Sequence, residues 1–593
     1  MLCGILFPLT GNAQDWKVLF SANGGFYEDV FELEMFSTYP QGRIFYTVNG
    51  NRPTVESEPY SEPLVLDESL YSTSDIYTIN NSIPSQFYLA DNVKHCIVIR
   101  AAVFDDRDSC VSPVTTQSYF IRALGCDLHG LPVLSIATDS LALFDYETGI
   151  FVPGINYDPA DSLATGNFKM KGREWERLIN LEFYETDNRG INQECGLRTH
   201  GGASRWFQQK GMKLYAREEY GKKRFSHRFF ESTPISKFKH LKLHPFRCSN
   251  WLHTGGQEYL ANNIARHLDI ECMATRETVV FINGEYWGIY TLEESNDERY
   301  LEDHFDVDLE KVNMIKYWGV PHYGDPTEWR EVLIWFQDAD LNQPEDSAYA
   351  YSHIDVHNLI DYILFETFSA NLDWPSNNTM FWQAETGSLF RWIFYDGDGC
   401  FTRPEFQAIE HALNQNVNSL VFQRFLENKS FCEAFRNRYN ELSTSYLSYD
   451  FMKAILVQYG QIVEGEIDAQ AHRFNFPPHR ERWLTDMGKA DQFLRQRDLY
   501  FREELKNFFG IEQPIQAPIS CHPNPFTDEI RISIEAEQAD TDEIAIYDLL
   551  GRKVFSAPCV CTEGTNEITL HPNLASGMYV LKVGVYVTRL VRQ

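Results

Sequence analysis

The chain has 593 residues, enough for several domains, and its 42 Phe, 31 Tyr and 12 Trp supply the large apolar surface that cores need, which excludes global disorder. A formal net charge of −32 repels phosphate backbones, so nucleic acid is not expected as a partner; the acidity suits solubility outside the cell. Beyond the N-terminus no apolar run reaches the roughly 18 residues of a membrane span, so no transmembrane segment is expected.

Residues 1–14 read as a short signal peptide with an apolar run, Leu2-Cys-Gly-Ile-Leu-Phe-Pro-Leu-Thr10, and a small-residue cleavage site near Ala13. The Lys or Arg that usually opens such a segment is missing: either the start is truncated or the segment is not a signal. Cys3 would leave with it. The 12 cysteines contain no C-x-x-C pair, which argues against a zinc ribbon; disulfides in an oxidising compartment remain open, with no pairing readable from the sequence.

Residues 16–122 read as a small β-sandwich. Gly42-Arg-Ile-Phe-Tyr-Thr-Val48 alternates, Asn49-Gly50 predicts a hairpin turn, and Cys96-Ile-Val-Ile-Arg-Ala-Ala-Val103 and Thr116-Gln-Ser-Tyr-Phe-Ile121 predict strands. The stretch Tyr46-Thr-Val-Asn-Gly-Asn-Arg-Pro-Thr54, followed by Ser57, Tyr60 and Pro63, resembles the β-module at the C-terminus of chitobiases and hexosaminidases. That resemblance implies a structural spacer without catalysis.

Residues 131–510 begin with strands, among them Leu131-Pro-Val-Leu-Ser-Ile136 and Leu178-Ile-Asn-Leu-Glu-Phe-Tyr184, and turn helical after about residue 255. Strands first and helices afterwards predict an α+β domain with two lobes. Val356, Leu359, Ile360, Ile363, Leu364 and Phe368 follow helical spacing, and Pro375 forbids that helix to continue. Beyond it come Asn371-Leu-Asp-Trp-Pro-Ser-Asn-Asn378, two β-rich runs (Thr379–Gln383 and Leu389–Tyr395) joined by the turn Glu385-Thr-Gly387, and then Tyr395-Asp-Gly-Asp398. A hairpin there carries Asp396 and Asp398 back beside Asp373. Asp373 and Asn378 are spaced as in the catalytic loop of protein kinases, where Asp meets the acceptor hydroxyl and Asn holds a metal. Asp396-Gly-Asp398 is not an EF-hand, because Cys400 stands where a ligand is needed; the plain alternative is a polar turn, just as Asp373 also suits an Asx-turn that stops a helix. No H-E-x-x-H or G-x-S-x-G occurs, so neither a zinc protease nor a serine hydrolase is indicated. Phe425–Phe509 reads as mostly amphipathic helix.

Residues 511–518, with two prolines, form a linker, and 519–593 predict a second small β-sandwich. His522-Pro-Asn-Pro-Phe-Thr-Asp528, Ile544-Ala-Ile-Tyr-Asp548, Gly551-Arg-Lys-Val554 and Ser576-Gly-Met-Tyr-Val580 resemble, block by block, the C-terminal sorting domain of type IX secretion cargo, although the chain's last residues lack the usual Lys. The resemblance implies a Gram-negative host, export by the type IX secretion machinery through the periplasm to the surface or beyond, and removal of this tail.

The middle domain resembles the CotH kinase family, secretory protein kinases of the spore-coat type with an atypical, reduced kinase fold. The resemblance is carried by Gly196-Leu-Arg-Thr-His-Gly-Gly-Ala-Ser204, Gly288-Ile-Tyr-Thr-Leu-Glu-Glu294, the two motifs around Asp373 and Asp396, and Phe493-Leu-Arg-Gln-Arg-Asp-Leu-Tyr-Phe-Arg502. By position it implies that Asp373 is the catalytic Asp, that Asn378 and Asp396 hold Mg²⁺ or Mn²⁺ against the phosphates of ATP, and that Asp398 is a further metal candidate. Arg198 and Ser204 belong to the implied nucleotide-covering turn, Lys210 is the implied phosphate lysine and Glu294 its acidic partner; Lys213, three residues on, falls on the opposite strand face from Lys210. Departures from the family pattern are Leu243-His-Pro-Phe-Arg-Cys-Ser-Asn-Trp251, where an Arg-Asn-rich stretch is common, and Gly202, where Asn is frequent. Two functions follow: phosphorylation of a protein hydroxyl by ATP, or a non-catalytic extracellular surface or adhesion protein that keeps the fold.

Overall fold

The computed structural model describes residues 16–128, 130–247, 252–414 and 419–509, and in the C-terminal part 519–522, 526–536, 540–548, 552–562, 564–583 and 586–592. The expected signal segment and the 511–518 linker lie outside the described residues. The chain forms two compact units, one of residues 1–435 and 449–497, the other of 436–448 and 498–593.

In the N-terminal part, β1 (Gly25–Tyr27), β2 (Arg43–Thr47), β3 (Glu58–Pro59), β4 (Ile97–Phe104) and β5 (Thr115–Ile121) form one sheet in the order β1-β5-β4-β2-β3. Two small ladders, Val18–Phe20 with Met35–Ser37 and Glu32–Leu33 with Leu64–Val65, complete this β-rich module. The expected tight hairpin at Asn49-Gly50 is instead a longer connection, with Phe45 paired to Pro59; Gly50 sits at φ 83 and its carbonyl is held by Arg100 (2.6 Å). Pro53 has no N–H to offer an early return strand, which delays the pairing.

The central part opens with a closed barrel of β6 (Val133–Ala137), β7 (Arg177–Tyr184), β8 (Gly190–Thr199), β9 (Met212–Tyr215), β10 (His240–Pro245), β11 (Thr275–Ile282) and β12 (Glu285–Glu294). The strand order is β6-β7-β8-β9-β10-β12-β11, and a parallel pairing of β6 with β11 shuts the ring. Helix α1 (Gln257–Ala265), buried throughout, lies in sequence between β10 and β11. A second sheet, ordered β14-β13-β15-β16, is built from β13 (Asn313–Lys316), β14 (Val320–Tyr323), β15 (Met380–Gln383) and β16 (Arg391–Ile393). It packs against α2 (Val356–Phe368), whereas α3 (Tyr449–Val463) packs on α1 and α4 (Ile467–Phe474) on β12 of the barrel; α5 (Arg480–Phe509) follows. In the second unit β17 (Ile519–His522), β18 (Ile530–Ala536) and β21 (Gly564–Leu570) form one sheet. A second is ordered β20-β19-β22-β23, from β19 (Asp540–Asp548), β20 (Lys553–Cys561), β22 (Gly577–Val583) and β23 (Tyr586–Arg592), and both contribute to a core around Ile532, Ile546 and Leu581.

The module does not behave as a spacer. One buried core takes Val93, Val98, Phe120 and Leu128 from the module side and Val133, Tyr184, Val279, Phe281 and Tyr286 from the barrel. Backbone bonds continue across the seam, Cys96 N to Gly284 O (2.8 Å) and Tyr286 N to Lys94 O (2.9 Å). The Glu285 carboxylate accepts from Ile76 N and Tyr77 N (both 2.8 Å), and Lys94 pairs with buried Glu466 on the α3–α4 connection (2.9 Å). The ten described cysteines carry free thiols. Among the described residues no helix is long and apolar enough to cross a membrane.

Phe120 of β5 is 1% exposed and its ring meets Phe26, Tyr184 and, across the seam, Phe281 at 5.2–5.8 Å. Phe120→Ala is therefore expected to destabilise module and barrel together by about 3–5 kcal/mol. Urea unfolding followed by separate probes of the two parts should show coincident shifts; a shift confined to the module would mean that the two fold independently.

Candidate active site

Between the barrel mouth and the second sheet lies a cleft of about 540 Å³. The barrel contributes the turn between β8 and β9, His200–Ser204. His200 N bonds Gly211 O (2.7 Å), and Gly201 adopts φ 97, where a Cβ would also collide with Ser204 Oγ at 2.0 Å. Ser204 Oγ donates to His200 O (3.2 Å). The glycine is thus required by both conformation and space.

Strand register then sets the charges. Lys213 of β9 stands opposite Lys242 of β10, and Lys242 opposite Glu293 of β12. Facing like charges are destabilising, and each lysine is met by an acid: Lys213 by Asp297 and Lys242 by Glu293, both at 2.8 Å. Burial disfavours the charge on Lys242, but Glu293 more than offsets it and holds the pKa above the ordinary lysine value. For Asp297, burial is outweighed by Lys213 and His240, which keep the carboxyl well below its usual range.

The acidic side of the cleft is assembled from α1, the loop after α2 and the turn after β16. Helix α2 is capped by Asp355, whose side chain accepts from Asn358 N, and stops at Ser369. Its last carbonyls are gripped by buried Arg497, which donates to Thr367 O (2.7 Å), Phe368 O (2.8 Å), Pro404 O (2.7 Å) and Phe406 O (2.9 Å). A cation at a helix C-terminus is favoured by the unpaired carbonyls there. The following loop is fixed by Asn371, which donates to buried Glu366 (2.8 Å) and accepts from Asp373 N (3.2 Å). Met380 pairs with Ile393, so the β15–β16 hairpin returns the chain to that loop, and Asn378 Nδ2 reaches Asp396 O at 3.4 Å. Asp396 itself is left-handed (φ 65, ψ 60), and Gly397 N donates to Glu258 of α1 at 2.5 Å.

Four carboxylates thereby share one corner of the cleft. Burial, then Glu293 and Asp396, push Glu258 up to about 8. Burial, then Asp396, Asp373 and Glu258, push Asp398 well above the carboxylate range, and burial with Asp396 raises Asp373. Donor atoms of His244, Glu258 and Asp396 lie within 4.8 Å of one another. An oxygen-rich donor set with one imidazole, crowded with like charge, fits a divalent cation such as Mg²⁺ or Mn²⁺.

Of the residues singled out from sequence, Asp373, Asn378, Asp396, Asp398 and Ser204 line this cleft together. Lys210, Arg198 and Glu294 do not, and the roles expected of them are corrected. Lys210 is wholly buried, with Nζ donating to Arg205 O (2.8 Å) and Phe207 O (3.0 Å) over the Phe168 ring; burial, then Lys169, lowers its pKa far below a normal lysine. It staples the turn from behind. Arg198 lies over Tyr215 (4.0 Å) beside Gly172 O and Glu176. Glu294 follows Glu293 on a strand and so faces the other way, accepting from Ala274 N (2.9 Å) and bonding His304 (2.8 Å). Sequence reasoning missed Lys242, Glu258, Glu293, His244 and Lys316. The available signal was the polar alternation in His240-Leu-Lys-Leu-His244.

Comparison with known proteins agrees with this architecture. The family described as CotH kinase protein matches residues 197–501, and the chain belongs to it. The chitobiase/beta-hexosaminidase C-terminal domain matches residues 22–109, and the secretion system C-terminal sorting domain matches 520–592. Comparison with curated proteins gives no match. Among solved structures, one titled "Crystal structure of the golgi casein kinase" is 10% identical over 55% of this chain and 71% of that chain, with a TM-score of 0.21.

Because the folded pKa of Glu258, about 8, lies above the ordinary 4.5, its proton stabilises the cation-free fold at low pH, and that contribution is lost as pH rises through about 8. Glu258→Gln imitates the protonated acid. It is expected to melt with the wild type at about pH 4 and above it at about pH 9 when chelator is present. A variant that melts lower at the alkaline end would show that Glu258 is not charge-strained.

Proposed function

We propose that the chain is a secreted protein kinase of the CotH type that transfers the terminal phosphoryl group of ATP to a protein hydroxyl. The observation that carries this reading is the order of groups around the cleft. A glycine-containing turn joins two strands, Lys242 follows on the next strand and Glu258 on the helix after it; Asp373, Asn378 and Asp396 then come from the loop and hairpin beyond. Protein kinases use that order: phosphate-covering loop, strand lysine, helix glutamate, catalytic Asp and Asn, metal-binding Asp. Here the acid hydrogen-bonded to Lys242 is Glu293, and Glu258 instead holds the Gly397 amide.

Phosphoryl transfer asks a protein for positioning and charge compensation rather than covalent chemistry. Asp373 orients the acceptor hydroxyl and takes its proton as the new oxygen–phosphorus bond forms, while the bond from the γ-phosphorus to the bridging oxygen breaks and ADP leaves. Lys242 offsets charge on the phosphates, and Ser204 and the Gly201 turn close over them. Asp396, Asn378 and Asp398, with His244 and Glu258 in reach, would hold Mg²⁺ or Mn²⁺, which supplies positive charge against the phosphate oxygens. Arg198, Lys210 and Glu294 keep only structural parts in this scheme.

The sorting-domain match supports export by the type IX secretion machinery to the cell surface or beyond, followed by loss of the tail. Mass spectrometry of the exported protein should find no peptides from 530–593; abundant ones would refute removal.

Asp373→Asn keeps the side chain's shape but cannot accept a proton. It is expected to lower phosphorylation of a generic acceptor protein by about 10²–10⁴-fold, with ATP binding retained. Radiolabelled ATP at equal folded concentrations provides the measurement. Equal labelling by both proteins would remove Asp373 from the chemistry. A wild type that binds ATP yet labels nothing would favour the non-catalytic surface protein.

A further inference from the structure

Lys316 differs from Lys213 and Lys242, the barrel lysines that line the cleft with it. Lys213 and Lys242 each face a buried acid at 2.8 Å. Lys316 lines the same cleft and, among the described residues, has no hydrogen-bond acceptor or ion pair; its ammonium lies 5.3 Å from the centre of the Tyr395 ring, next in sequence to Asp396. Burial, then the charge of Lys242, lowers its pKa to about 8. An ammonium drawn out of water without an acceptor is costly, and in a chain of net charge −32 acids to pair with are plentiful. Lysines that repel one another across a concave site are compensated when an anion lies between them.

The position is also stiff. Lys316 ends β13, where it pairs with Met380 of β15, and Tyr317 N bonds Thr379 O (3.2 Å). Lys316 is thereby tied to the strand that leaves Asn378. It comes from the second sheet, whereas Lys213 and Lys242 come from the barrel, so the three cations approach the cleft from opposite walls.

We propose that Lys316 is a phosphate-binding residue that grips the polyphosphate of the nucleotide from the wall opposite Lys242, and that it makes the cleft prefer a triphosphate to a monophosphate. The assignment rests on the nucleotide reading above. It adds a cation from the second sheet to the barrel lysines, and it predicts selectivity for phosphate number independent of the base.

The test is calorimetric titration of the full chain with ATP, AMP and inorganic tripolyphosphate. Wild type should bind ATP and tripolyphosphate more tightly than AMP. Lys316→Met should weaken both polyphosphates by roughly 10- to 100-fold and leave AMP nearly unchanged, while Lys316→Arg restores most of the loss. The melting temperature of each ligand-free variant reports folding. A second measurement needs no variant: in wild type, tripolyphosphate should slow acetylation of Lys316 by an N-hydroxysuccinimide ester, read by mass spectrometry against exposed Lys222. Equal ATP binding by wild type and Lys316→Met, or unprotected Lys316 at saturating tripolyphosphate, overturns the assignment and leaves the kinase reading intact. Lys316-dependent binding of tripolyphosphate without binding of ATP overturns the assignment as stated, because the nucleotide is then not the ligand. Binding of neither by wild type removes both.

Discussion

The contact on which the site depends is the hydrogen bond from the Gly397 amide to the Glu258 carboxylate. It joins a helix that packs with the barrel to the turn that carries Asp396 and Asp398, and it holds three acids closer together than water alone would screen. Those charges are tolerable in two ways: protons occupy some of them, or a cation does. The lysines across the cleft are the counterpart, each placed by strand register rather than by local sequence. The cleft therefore gathers acids from α1, the loop and the turn beside lysines from the barrel and from the second sheet, and such a gap suits a ligand that presents anionic groups together with a metal.

Local pattern made much of this visible in the sequence. The α2 helix, the loop stopped before Pro375 and the β15–β16 hairpin all follow from short-range periodicity and turn chemistry, so the convergence of Asp373, Asn378, Asp396 and Asp398 was legible from the chain alone. Lys210 was misjudged because spacing after a glycine turn says nothing about which way a side chain is buried. Glu294 was misjudged by one residue, and on a strand one residue is the whole difference between two faces. Lys242 and Glu258 come from separate elements that only the closure of the barrel brings near Asp396, and no local signal encodes that.

The module's union with the barrel was encoded, but in a form easy to misread. β4 is buried at all eight of its positions. A strand that covers one face of a core alternates, whereas a run such as Ile97-Val-Ile-Arg-Ala-Ala-Val103, apolar at every position but Arg100, needs cover on both sides. Ile97 and Ile99 face the module's own core, while Val98 faces the core shared with the barrel. A motif known from elsewhere as a spacer has here become one wall of the domain it precedes.

Arg497 carries a consequence for any shortening of the chain from its C-terminal side. Its guanidinium fastens four carbonyls, two at the end of α2 and two from the segment after the Asp398 turn. Residues far downstream therefore hold the loop that presents Asp373. Proteolysis beyond α5 leaves these four bonds in place. Trimming that reaches back past residue 497 removes all four bonds at once.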